Sequence, residues 1–135
     1  MKLPTRLINP RIKSKFATRE TNDCVVRALS LVSNLPYENV HKIVRTHLNR
    51  KRGKGVNKSL ILNLFKNEKA LIKKHLNFTA WEMSGVKTIN QLIKTKPNGT
   101  FFILVRQHAT AVIDGKVADI FVKNWHIQNC WQILK

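Results

Sequence analysis

Two residues far apart in the chain, Cys24 and His108, have the types and surroundings that could do covalent chemistry. A thiolate is a strong nucleophile, but a free cysteine is mostly protonated at neutral pH, so something beside it must lower its pKa. Cys24 follows the polar Thr21-Asn22-Asp23 and opens a run in which Val25, Ala28, Leu29 and Val32 recur at i, i+3, i+4 and i+7. That spacing predicts a buried helix from Cys24 to about Ser33, with Asn22 or Asp23 accepting from its first amides. The sulfur then sits at a helix N-terminus, whose partial positive charge favours the thiolate. His108 heads the segment His108 to Asp119, in which Asp114-Gly115 between alternating residues is a strong hairpin signal. An imidazolium packed against the helix start would complete an ion pair with the thiolate and then protonate a leaving group.

The hairpin register adds a third residue. A two-residue Asp114-Gly115 turn pairs Ile113 with Lys116, Thr110 with Asp119 and His108 with Phe121. His108 and Asp119 then lie on one face as diagonal neighbours, about 7–8 Å apart at the backbone. Asp114 is used by the turn, so Asp119 is the nearby carboxylate placed to orient the imidazole. Each residue also has a plainer reading: Cys24 as a small buried hydrophobe, His108 as a histidine satisfied by Asp119, and Asp119 as a strand-end residue. A zinc site from Cys24, His108 and Asp119 lacks the close ligand pairs that announce one, so neither metal nor cofactor is expected. His41, His47 and His75 lie among lysines and arginines and read as solvated.

The elements that must position these residues follow from the apolar pattern. A chain of 135 residues with 43% hydrophobic content fits one compact domain. Residues 1–21, with two prolines and many cations, read as a basic N-terminal arm, and residues 22–135 as a single domain. After Asn34-Leu35, Pro36 suits the first turn of a second helix bearing Val40, Ile43, Val44 and Leu48. A third helical region spans about Asn57 to His75, interrupted near Asn67. The stretch from Phe78 to Gly85 has no clear period. Thr88 can cap a short helix that ends before Pro97, and Pro97-Asn98-Gly99 turns the chain into strands. Thr100 to Arg106 is apolar on both faces, as in a central strand; His108 to Ile113, Lys116 to Phe121 and Cys130 to Leu134 complete the strand set. Helices first and antiparallel strands second predict an α+β fold with N-terminal helices packed on a C-terminal sheet.

Charge is the extreme feature, with 25 Lys and Arg against 7 Asp and Glu, a net +18. Such a surface attracts polyanions at low salt. Arg50, Lys51, Arg52 and Lys54 form a basic loop and a candidate anion contact, without the spacing of a phosphate-binding P-loop. Lys66, Lys69 and Lys73 would line one helical face. The longest uninterrupted apolar run, Phe101 to Val105, is far below the roughly 20 residues of a membrane-spanning helix, so no membrane partner is expected. With only Cys24 and Cys130, and no signal-peptide pattern, a cytoplasmic location is expected, with a virion component as the alternative. A disulfide between the two cysteines would need their Cα atoms within about 7 Å.

Four blocks, Asn22 to Leu29, Leu35 to His41, Pro97 to Thr100 and His108 to Asp119, resemble in content and order a family of small, mostly uncharacterised phage-encoded proteins with a papain-like cysteine peptidase fold. The resemblance runs from Asn22 to the C-terminus and excludes the basic arm. It implies a helix bearing Cys24 packed on an antiparallel sheet bearing His108 and Asp119, with thiol-dependent hydrolysis as the chemistry, and it implies no substrate; a host or phage protein is a separate expectation. Enzymes of that fold place a glutamine shortly before the nucleophile to stabilise the oxyanion, and no glutamine precedes Cys24. Asn22, Arg19 or the Cys24 amide could serve instead. Losing one such donor costs about 10²- to 10³-fold in rate. A non-catalytic basic protein on the same fold, contacting nucleic acid or an acidic host protein, is the alternative.

Overall fold

The computed structural model describes residues 24–48, 58–106, 108–118 and 126–135. Asn22, Asp119, the basic loop residues Arg50, Lys51, Arg52 and Lys54, and the arm of residues 1–21 lie outside the described residues.

Helix α1, Cys24–Ser33, begins at Cys24 and buries Val25, Ala28, Leu29 and Val32 as its period requires. Val26, Ser30 and Ser33 are buried too, so the helix is enclosed on most of its circumference. Asn34, at φ 60, ends it in the left-handed conformation that asparagine tolerates. Helix α2, Tyr37–His47, starts after Pro36, whose carbonyl accepts from the Asn39 and Val40 amides. Its buried stripe is Tyr37, Val40, His41 and Val44. His41 is therefore not solvated, as its cationic neighbours suggested: the i, i+4 spacing from Tyr37 carries it into the core, with the two rings 5.9 Å apart. Helix α3, Lys58–Asn67, gives way at Glu68 to the short α4, Lys69–Leu71, which runs into a π-helical turn, Ile72–Leu76. That is the interruption expected near Asn67. Left-handed Asn77 stops the turn.

The stretch without a clear period forms strand β1, Thr79–Met83. Helix α5, Ile89–Thr95, starts at Thr88, whose hydroxyl accepts from the Gln91 amide at 3.1 Å. Strands β2, Thr100–Val105, β3, His108–Ile113, β4, Lys116–Val117, and β5, Asn129–Leu134, complete an antiparallel sheet of order β1-β5-β2-β3-β4. The C-terminal strand thus inserts between β1 and β2 instead of adding to β4. It can do so because Trp131 and Ile133 fill one face and Cys130 the other, which suits an interior strand.

The sheet divides the core in two. Over one face lie α1 to α4, sealed by Phe102, Leu104, Ala109, Ala111, Trp131 and Ile133; Phe65 stacks on Trp131 with ring centroids 4.4 Å apart. Over the other lies α5, whose Ile89 and Leu92 pack on Phe101, Ile103, Val105, Val112, Val117 and Cys130. The described architecture is the α+β arrangement of helices preceding an antiparallel sheet. No helix among the described residues is long and apolar enough to cross a membrane.

Candidate active site

The hairpin that carries His108 has the expected register. Ile113 pairs with Lys116 and Val112 with Val117 across Asp114, φ 49, and Gly115, φ 79. Both turn residues take positive φ, as a type I′ turn demands. Asp114 also accepts from the Gly99 amide at 2.9 Å and donates its own amide to the Gly99 carbonyl at 2.8 Å, tying the turn to the start of β2. The Ala118 amide donates to the Ala111 carbonyl at 3.0 Å, which carries the register one pair further. Asp119 comes next in sequence and lies outside the described residues.

At the other end of β3, His108 pairs with Val105, the last residue of β2, so it stands on the rim of the sheet and is half-buried. Alternation turns Ala109 and Ala111 toward the α1 layer, where both are buried. Alanines at these positions let α1 approach the strand closely; α1 lies chiefly on β3 and secondarily on β2. The close approach brings the first residue of α1 to the first residues of β3.

Cys24 is half-buried and free. Burial alone pushes its thiol pKa up, but the His108 side-chain hydrogen bond, the Ala109 amide, the charge of His108 and the Val25 amide act against burial and leave it below the ordinary value. The Val25 amide is one of the first-turn N–H groups that a helix leaves without an intrahelical partner. No acidic residue stands in the first turn of α1 to compete for it. The result is a thiol held at a helix N-terminus, with an imidazole on its sulfur. Cys130 has no such partners: enclosed in β5, its pKa is pushed by burial up to about 12. The two thiols lie in different cores and are free, so no disulfide joins them.

Thr110, two residues beyond His108, is fully buried, and its hydroxyl has no hydrogen-bond partner among the described residues. Sequence reasoning did not single it out; a polar residue at an inward position next to the candidate histidine was the available signal. It also missed the residues that extend the rim. The Gln128 amide donates to the Leu104 carbonyl at 2.8 Å, and Lys58, the first residue of α3, donates from Nζ to Gln128 Oε1 at 2.6 Å. Of the sequence-predicted site, Cys24 and His108 are brought together. Asn22, Asp119 and the basic loop fall outside the described residues. No group of three or more histidine, cysteine or acidic side chains that could hold a metal occurs among the described residues.

No family model, curated protein or solved structure matches the chain. Among the described cationic side chains, Lys66, Lys69, Lys73 and Lys74 are exposed along α3, α4 and the π-turn, while Leu64, Ile72 and Leu76 turn inward.

Proposed function

We propose that the protein is a thiol-dependent hydrolase with a papain-like arrangement, acting on a peptide, isopeptide or related amide bond of a protein substrate. The observation that carries this reading is the lowered pKa of Cys24 against the His108 side chain at the start of α1. Such activation is what a catalytic cysteine requires and what a structural one lacks. Cys24 Sγ attacks the carbonyl carbon as a thiolate, forming the C–S bond of a tetrahedral intermediate. His108, as imidazolium, gives its proton to the leaving nitrogen as the C–N bond breaks. Water, deprotonated by His108, then cleaves the thioester and returns the site to its starting state. Backbone amides at the α1 start hold the oxyanion, with Asn22 as a further donor.

Asp119 orients the imidazole in this reading. The two-residue turn read from the sequence would pair it with Thr110. The four sequence blocks that resemble phage-encoded papain-like proteins support the same assignment.

The exposed Lys66, Lys69, Lys73 and Lys74, with the net charge of +18, favour a second role: a cationic surface that contacts nucleic acid or an acidic host protein. That role is compatible with hydrolysis, since such a surface can deliver an enzyme to an anionic complex.

The test is the rate of Cys24 alkylation by iodoacetamide from pH 5 to 9. A lowered pKa keeps the thiolate populated below the ordinary cysteine range, so the rate falls only as pH drops through that lowered value. His108→Ala removes the side-chain hydrogen bond and the charge that act against burial, so the rate at pH 6 is expected to fall toward that of a thiol whose pKa burial raises. An unchanged profile in His108→Ala would sink the hydrolase reading and leave the cationic surface as the functional feature.

A further inference from the structure

The proposed nucleophile stands at one point of a longer rim. β2 ends, and β3 and β5 begin, at the same edge of the sheet, because Val105 pairs with His108 and Leu104 with Asn129. The pairing of Met83 with Cys130 brings the end of β1 to that edge as well. Passing from β3 through β2 to β5 and β1, the rim carries His108, then Val105, then Gln128 and Asn129, then Met83 to Val86.

Between the last two lies a groove of about 480 Å³. Met83, Val86 and Ile127 line it and pack, half-buried, on the core beneath α5, so part of each apolar side chain faces the groove. Glu82, Ser84, Gln128 and Asn129 supply charged and polar groups to the same lining. Lys58 occupies Gln128 Oε1, which leaves the amide N–H₂ of Gln128 to donate to a carbonyl. An apolar floor with hydrogen-bonding groups fits a side chain carried on an extended peptide backbone.

Resting on the hydrolase reading, we propose that this groove is a substrate-specificity subsite that takes a large aliphatic side chain of an extended polypeptide. Its position fixes the spacing. At about 4.8 Å per strand, a groove two to three strands from His108 is roughly 10–14 Å away, or about three or four residues of extended chain from the bond attacked by Cys24. The substrate lies across the strand ends, with Cys24 at one point of the rim and the aliphatic side chain in the groove.

The full-length protein is incubated with a peptide library prepared from a proteome, and cleavage positions are read by mass spectrometry on both sides of each cut. Wild type is expected to enrich leucine, isoleucine or methionine at the third or fourth residue on one side. Ser84→Trp, at an exposed position of the groove, is expected to reduce that enrichment at least tenfold while Cys24 alkylates at the wild-type rate. Cleavage without such enrichment, or enrichment that survives Ser84→Trp, overturns the subsite and leaves the hydrolase reading standing. If wild type cuts no peptide in the library, the hydrolase reading fails and the subsite fails with it.

Discussion

Cys24 and Cys130 are held by the same sheet and have opposite chemistry. Cys130 lies inside a strand against Ile103 and the α5 layer, where nothing stabilises a negative charge, and its pKa rises to about 12. Cys24 is also partly enclosed, and burial pushes in the same direction, yet its pKa falls because His108 and the amides of Ala109 and Val25 converge on the sulfur. Burial by itself therefore does not set reactivity; what matters is whether the enclosure supplies donors. The largest expected effect follows directly. At pH 7 a thiol of pKa about 12 is ionised to about one part in 10⁵, so iodoacetamide is expected to label Cys24 in the native protein and Cys130 only on unfolding. Comparable native labelling of both, read by peptide mapping, would remove the distinction.

The contrast can be sharpened from the packing side. Ala109 and Ala111 let α1 lie close on β3, and that approach is what sets Cys24 against His108. Ala109→Leu would overpack the contact at a cost of about 1–3 kcal/mol and lift the start of α1 away from the strand. Denaturant unfolding is expected to show the loss, and the Cys24 alkylation profile should move toward that of an ordinary cysteine. Val112→Leu, an enlargement in the α5-side core, should cost stability while leaving the Cys24 profile in place. If both variants move the profile alike, α1 packing does not position the thiol.

Much of this was legible in the sequence where one period or one turn dominates. The i, i+3, i+4, i+7 stripe placed the start of α1 at Cys24, Thr88 announced the cap of α5, and Asp114-Gly115 fixed the β3–β4 register through Ala118. Elements that depend on distant partners were not legible. β1 has a half-exposed, irregular pattern because it is an edge strand, and only its pairing with β5 defines it. The insertion of β5 between β1 and β2 is a long-range choice that no local pattern encodes. His41 misled for a related reason: its lysine and arginine neighbours in sequence point outward, while Tyr37 and Val44 on its own face point inward. At the site, the approach of Cys24 to His108 was readable from type and placement. The rim from Lys58 to Gln128 was not, since it joins residues 70 positions apart.

The smallest expected effect comes from the far side of the sheet. Thr88 caps α5 by accepting from the Gln91 amide, and Gln91 reciprocates by accepting from the Lys87 amide at 2.8 Å. Thr88→Ala leaves the Gln91 amide without its cap and should cost about 1 kcal/mol. Because α5 covers Ile103, Val112 and Cys130 and not α1, the loss falls on the layer that encloses Cys130. Labelling of Cys130 through transient opening should then accelerate about fivefold, the change in open population that 1 kcal/mol produces. Cys24 reacts from the folded state, so its rate and pH profile should stay as in wild type. A Cys24 rate that follows Cys130 in this variant would mean that both thiols react only through a shared opening, and that the donors around Cys24 do not activate it in the native fold.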